Sequence, residues 1–397
     1  MQGETVTTSA LTKQICDERV LLQWRVTLYI LICVWTPEAA RAADLWQYGG
    51  FVDVGYLHNS NHPDNHLWRS RQTSPRTTEL APNMGLAYVR KDPAEQSRWG
   101  VELALQAGYD TNDLLPDPQP GGTQPISGAD TLRHLARANV SYLAPIGEGV
   151  TLTAGLFKGA KSYEEFYAKY NLNYTRAYLT DYNPNFLVGF GASYPVTKSL
   201  ELGLYVVTEY LHLSHANDLP SYLSKLEWRA SDHVTVYQSV YYGPDQQDTA
   251  MQYWRTFADS TVEWRTPDWR VALSYDVGSE KVADVGGVRA TWMGAALFTH
   301  RHLTGPWSVA VRPEFYWDPQ GRMTEHKQLI WANTTTLEYK KHLGRQLVIV
   351  RLEHRYDRST GAQGGFFRDG STSSGTAGLT ASQHLAILGV VWAFDSA

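Results

Sequence analysis

The sequence predicts an all-β chain, a transmembrane antiparallel up-and-down β-barrel of about 16 strands (range 14–18) with short periplasmic turns and long extracellular loops. Three observations predict it. Apolar and polar residues alternate along most of the chain. The connections between alternating stretches are short and long by turns. An export signal precedes the first stretch, and no later apolar run approaches the roughly 18 residues that a membrane helix needs.

Composition agrees with alternation. Aromatic residues make up 12% of 397 residues, with 14 Trp and 24 Tyr, while charged residues make up 19%. Mean hydropathy is −0.36, which excludes a bundle of membrane helices but leaves a soluble β-sandwich or lectin open. The net charge is −5 and no Lys/Arg-rich run occurs, so nothing favours nucleic acid as a partner.

The N-terminus has the order of a secretory signal. Arg19 and Arg25 precede the apolar run Val26 to Trp35, followed by Pro37 and the small-residue site Ala40-Arg41-Ala42. Residues 1–42 are expected to be removed and residues 43–397 to form the barrel. The two cysteines, Cys16 and Cys33, both fall in the removed part, so no disulfide and no thiolate metal site is expected in the mature chain. Ile32 before Cys33 argues against lipidation.

Strands are predicted near 46–57, 82–91, 97–109, 132–144, 149–158, 185–195, 199–210, 221–230, 233–243, 252–266, 269–278, 288–302, 306–317, 328–341, 345–357 and 383–394. Three show the pattern well. Trp99, Val101, Leu103 and Leu105 alternate with Gly100, Glu102, Ala104 and Gln106. Trp269, Val271, Leu273, Tyr275 and Val277 alternate with Arg270, Ala272, Ser274 and Asp276. Trp307, Val309, Val311 and Trp317 share a face opposite Ser308, Arg312 and Glu314. An apolar face ending in aromatics suits lipid and its interfaces, and a small or charged face suits a wet lumen. Connections after even strands are tight, such as Ser231-Asp232 and Pro267-Asp268. Those after odd strands include 58–81, 110–131, 159–184 and 358–382. A soluble sandwich has no reason to segregate loop lengths in this way. The last strand alternates Leu388, Val390, Trp392 and Phe394, the kind of ending that outer-membrane assembly machinery recognises.

Several stretches together resemble one family. They are 49–61 (GGFVDVGYLHNSN), 138–164, 173–196, 239–245 (SVYYGPD), 312–321 (RPEFYWDPQG) and 352–359 (LEHRYDRS), in order over most of the mature chain. The chain resembles the putative β-barrel porin-2 (OmpL-like) family of Gram-negative outer-membrane proteins. The resemblance implies a porin-type barrel with a solute-conducting role and no particular substrate. It departs from the family at 206–218 and in the tail beyond Phe394.

The third long connection, Gly159 to Tyr182, is the stretch expected to fold inward and narrow the pore. Ser162 followed by Glu165 has capping-box spacing and predicts a helical middle. Glu164, Glu165 and Asp181 of this loop are expected to face lumen arginines, with Arg176 in the same loop. By strand parity the pore-lining charges are Arg229, Arg255, Arg270, Arg289, Arg312, Arg351, Asp259, Asp276 and Glu314. Such charges set ion preference in a pore, or pair across strands and stiffen the wall. The loop tyrosines Tyr163, Tyr167, Tyr170, Tyr174 and Tyr178 offer either a sugar-stacking track or packing against the wall.

No catalytic set, cofactor motif or metal-ligand spacing emerges; His212 and His215 stand without further ligands. The function expected is an outer-membrane porin passing small hydrophilic solutes or ions. A binding or adhesion barrel, or a barrel-embedded hydrolase, is the alternative. Expected partners are outer-membrane lipid and lipopolysaccharide, the barrel-assembly machinery and the solutes themselves, with a homo-oligomer left open.

Overall fold

The computed structural model describes residues 46–114, 132–160, 162–210, 217–246, 248–283, 286–370 and 378–396. The expected signal, residues 1–42, and His212 and His215 lie outside the described residues.

Sixteen antiparallel strands close into one barrel. They are β1 (Trp46–Asn59), β2 (Leu80–Lys91), β3 (Trp99–Ala107), β4 (Leu135–Ala144), β5 (Val150–Lys158), β6 (Phe186–Thr197), β7 (Leu200–Val207) and β8 (Ser221–Arg229). The second half is β9 (Val234–Gly243), β10 (Arg255–Arg265), β11 (Trp269–Val282), β12 (Val288–Thr304), β13 (Trp307–Asp318), β14 (Gln328–Leu343), β15 (Gln346–Thr360) and β16 (Ser382–Asp395). Each strand pairs with its neighbour in sequence, and β1 pairs with β16 from Gly49↔Asp395 to Asn59↔Leu385. Every predicted strand is matched. The largest displacement is at β11, which runs on to Val282, so that only five residues separate it from β12.

Alternation sorts the side chains. On β15, Arg351, Glu353, Arg355 and Asp357 are buried toward the barrel interior while Leu352 is 56% exposed. The outer surface carries two aromatic bands. Trp99, Trp228, Trp264, Trp269, Trp307 and Trp392 are exposed at the short-turn end, and Tyr56, Tyr222, Tyr242, Trp317 and Trp331 at the long-loop end. Between them lie aliphatic residues such as Leu103, Leu204, Val262, Leu273 and Leu388. Aromatics that are wet at one edge and apolar elsewhere settle at bilayer interfaces, so this layering matches a membrane cross-section.

The short turns use glycine where the chain must reverse tightly. Gly305 and Gly344 hold φ of +57° and +64°, a region L residues avoid. The long connections after β1 (60–79), β3 (108–134), β5 (159–185) and β15 (361–381) are called L1, L2, L3 and L8 below.

Candidate functional site: a lumen loop bound to a charged wall

L3 is fixed to the inner wall by its own backbone. Arg351 on β15 donates to the carbonyl of Ala168 at 2.7 Å and also reaches those of Asn171 and Asn173. Arg312 on β13 donates to Thr175 O at 2.6 Å, and Arg355 on β15 donates to Arg176 O at 3.0 Å. Carboxylates take the opposite role. Glu353 accepts from Tyr174 N at 2.7 Å and Thr175 N at 3.1 Å, and Glu314 accepts from Tyr178 N at 2.6 Å. An irregular segment in a barrel interior must satisfy its peptide groups, and inward charges of both signs do so here.

This explains a correction. No helix grows from Ser162, whose Oγ donates to Glu164 O instead of capping a turn. Asn171 brackets Glu165, accepting from its N at 2.8 Å and donating to its O at 2.7 Å. Wall arginines take the following carbonyls, leaving one 3₁₀ turn (Ala168–Tyr170) and one helical turn, α1 (Tyr178–Asp181).

The loop's side chains reach around much of the barrel. Tyr174 donates to Asp53 on β1 at 2.6 Å and accepts from Asn83 on β2 at 2.9 Å. Tyr167 donates to Gln106 on β3 at 2.7 Å, and Asn183 donates to Asp259 on β10 at 3.0 Å. Lys169 meets Asp395 on β16 at 2.9 Å. Tyr167, Tyr174 and Tyr178 are buried, so packing rather than an open stacking track accounts for them; Tyr170 alone of the five is exposed.

The expected loop charges divide. Glu164 pairs with wall Arg312 at 2.6 Å. Glu165 pairs with Lys158 on β5 at 2.8 Å. Asp181 and Arg176 make their ion pairs with other loops. Asp181 pairs with Arg71 of L1 at 2.9 Å and accepts from Thr73 at 2.6 Å. Arg176 pairs with Asp110 of L2 at 2.9 Å. Burial pushes the Asp110 and Asp181 carboxyls up, against the pull of Arg176 and Arg71 respectively.

The wall charges also divide. Arg255, Arg312, Arg351, Asp259, Asp276 and Glu314 are on the inner face but buried. Arg255 is held by Asp245 at 2.5 Å and Glu280 at 2.9 Å, and Glu314 meets Arg355 at 3.0 Å. Arg270 is inward and partly exposed near the short-turn end. Arg229 is exposed beside Glu227 at 3.7 Å. Arg289 corrects the parity reading. The inward residues of β12 are Ala290, Trp292, Ala296 and Phe298, so Arg289 points the other way and donates to Ser279 at 3.0 Å. Sequence reasoning missed Trp68 and Arg71 of L1, which enter the interior beside Tyr178 and Arg355. Their irregular loop carries no period from which a direction can be read.

One arc of the inner wall stays open. A cavity of about 240 Å³ is lined by Lys158, Glu201, Gly203, Tyr205, Lys225 and Glu227, on β5, β7 and β8.

The family described as Putative beta-barrel porin-2, OmpL-like, matches residues 46–394. The chain belongs to this family. It is accordingly an outer-membrane β-barrel of Gram-negative type. Among solved structures, an anion-selective porin from Comamonas acidovorans is similar with a TM-score of 0.56 and 12% identity, covering 88% of this chain and 99% of that one. The trimer form of OmpT, an outer-membrane protein of Vibrio cholerae, is similar with a TM-score of 0.51 and 8% identity, covering 88% and 98%. At these identities the likeness is one of fold. No curated protein matches the sequence.

Proposed function

We propose that this member of the family passively conducts small hydrophilic solutes or ions, and that L3 narrows its lumen. One observation carries the reading. The inner face is covered by L3 along β13–β15, where Arg312 and Arg355 are fully buried, yet partly exposed charges line the cavity along β5, β7 and β8. A loop held to one side of a wide barrel leaves a passage on the other, and a 16-stranded barrel is wide enough for both. The passage carries Lys158 and Lys225 together with Glu201 and Glu227, a mixed field that favours polar solutes over apolar ones. Lipid and lipopolysaccharide would meet the outer aromatic bands, and the barrel-assembly machinery the β16 end. A homo-oligomer belongs to this reading, and chemical cross-linking in detergent checks it.

A second reading rests on L1. Arg71–Asp181 and Arg176–Asp110 tie L1, L2 and L3 into one buried cluster, which suits a closed barrel whose outer loops bind a partner.

Single-channel conductance of the refolded barrel, with and without residues 161–180, separates these. Conductance that rises on deletion is the expected result. Conductance unchanged by deletion keeps the pore and discards the constriction. A folded barrel silent in both forms overturns the porin reading and favours the second.

A further inference from the structure

A basic patch stands on the outer face, at the long-loop ends of β1, β15 and β16. His58, His354, His384 and Arg358 all point outward there. His354, His384 and Arg358 are exposed and His58 is half-buried. In register, Ala386 on β16 lies between His58 on β1 and His354 on β15. His384 is the next outward residue of β16 toward the loops, and its Nδ1 is 3.3 Å from His354 Nε2. Imidazoles thus stand on three sides of a notch whose floor is the Ala386 methyl group. Tyr356 packs its ring 4.7 Å from that of His384, and Arg358 is the next outward residue beyond it on β15. On the other flank, His62 of L1 packs edge-on against His58, with ring centroids 5.2 Å apart.

The neighbouring rows fix the depth of the patch. Leu337, Leu352, Leu388 and Tyr56 lie side by side on β14, β15, β16 and β1, one outward step below His354, Ala386 and His58. Trp331 of the long-loop aromatic band is in register with Arg358. The patch therefore stands at headgroup level, just beyond the hydrocarbon. Other outward guanidiniums find partners in the protein. Arg289 donates to Ser279 at 3.0 Å, and Arg301 lies 5.1 Å over the Trp269 ring. Among the described residues Arg358 makes no hydrogen bond, ion pair or ring contact. The carboxylates of these strands are all on the inner side. Asp53, Glu338, Glu353 and Asp357 are buried there, and Asp395 pairs with Lys169 of L3.

A basic patch at a membrane surface with no acid in it draws a lipid phosphate. Imidazole N–H groups and the fork of a guanidinium both donate to phosphate oxygens, and the guanidinium adds a fixed charge. The long-loop end of such a barrel faces the outer leaflet of a Gram-negative outer membrane, which is built of lipopolysaccharide. Phosphatidylethanolamine carries an ammonium beside its phosphate, and the patch offers that ammonium no carboxylate. The sugar phosphates of lipid A carry no such ammonium. We propose that His58, His354, His384 and Arg358 bind a phosphate of lipopolysaccharide over Ala386, with its acyl chains along Leu352 and Leu388. The proposal rests on the barrel's place in the outer membrane and not on conduction.

Its test is lipid binding to the barrel refolded in detergent without lipopolysaccharide, with folding checked by heat-modifiable gel mobility. Bisphosphorylated lipid A is titrated in, and the lipid retained per barrel is counted by native mass spectrometry. Lipid A is expected to bind at least about tenfold more tightly than its dephosphorylated form or phosphatidylethanolamine. The triple variant H354N/R358Q/H384N is expected to lose that preference. The variant A386L keeps all four basic side chains, fills the notch between them, and guards against failure of the triple variant to fold. Its binding of lipid A is expected to weaken about tenfold. Equal retention of phosphorylated and dephosphorylated lipid A overturns the proposal. Equal retention of phosphatidylglycerol and lipid A overturns the assignment to lipopolysaccharide. Wild-type binding by either folded variant overturns the assignment to this patch.

Discussion

Arg312 shows how one residue serves wall and loop together. Its guanidinium meets Glu164 at 2.6 Å and Thr175 O at 2.6 Å, and it lies 3.4 Å from Glu314, all without exposure to solvent. Removing it leaves two buried carboxylates short of a cation. Arg312→Ala is therefore expected to destabilise the barrel by about 3–5 kcal/mol, read by urea unfolding in lipid vesicles. Arg229→Ala, at an exposed and loosely paired site, is expected to change stability by less than about 1 kcal/mol in the same assay. His326, in the β13–β14 connection, gives a pH effect. Burial, helped by Arg69, lowers its pKa from 6.5 to about 4. The folded loop thus holds the neutral ring while the unfolded loop takes up a proton near pH 6.5. The stabilising contribution is complete above pH 6.5 and is lost as pH falls toward 4. Limited proteolysis of this loop is expected to accelerate over that window, and His326→Asn to flatten the dependence.

At the scale of elements, L3 is defined by what it touches. Tyr174 sits over β16, where a Cβ at Gly389 would collide with its ring. Gly389→Val must displace Tyr174 from Asp53 and Asn83 while leaving the β15–β16 and β1–β16 ladders in place. The barrel is expected to fold, and L3 to become cleavable by protease at a rate at least about tenfold above wild type. An unchanged cleavage rate would mean that Tyr174 does not hold the loop. The existence of L3 as a distinct long connection was legible from its length and from the strands on either side. Its conformation was not. The Ser162/Glu165 spacing pointed to a helix, and the competing wall donors, spread over β13 and β15, are more than 130 residues away in sequence.

The whole molecule rests on the contrast between its two faces. The outer face meets hydrocarbon between two aromatic bands, so a charge there has no partner. Leu273, exposed on β11 four residues beyond Trp269 of the short-turn band, is a clear case. Leu273→Arg is expected to cost about 2–4 kcal/mol in vesicle unfolding, whereas Leu273→Val is expected to be nearly neutral. Equal effects would mean that this surface does not face lipid.

The sequence by itself determined the barrel, its strand count and the sorting of side chains between lipid and lumen. A period of two is local information, and loop length needs no long-range contact to be read. Arg289 marks the limit of that reading: it lies at a strand start, where a one-residue choice of parity reverses the face. Only the tertiary structure decided which inward charges are covered and which line the cavity along β5, β7 and β8. It alone placed Arg71 against Asp181 and set Asp259 beside Asn183. Those meetings depend on where irregular loops come to rest inside a closed wall. That position follows from the sum of many distant hydrogen bonds and ion pairs, which no local pattern encodes.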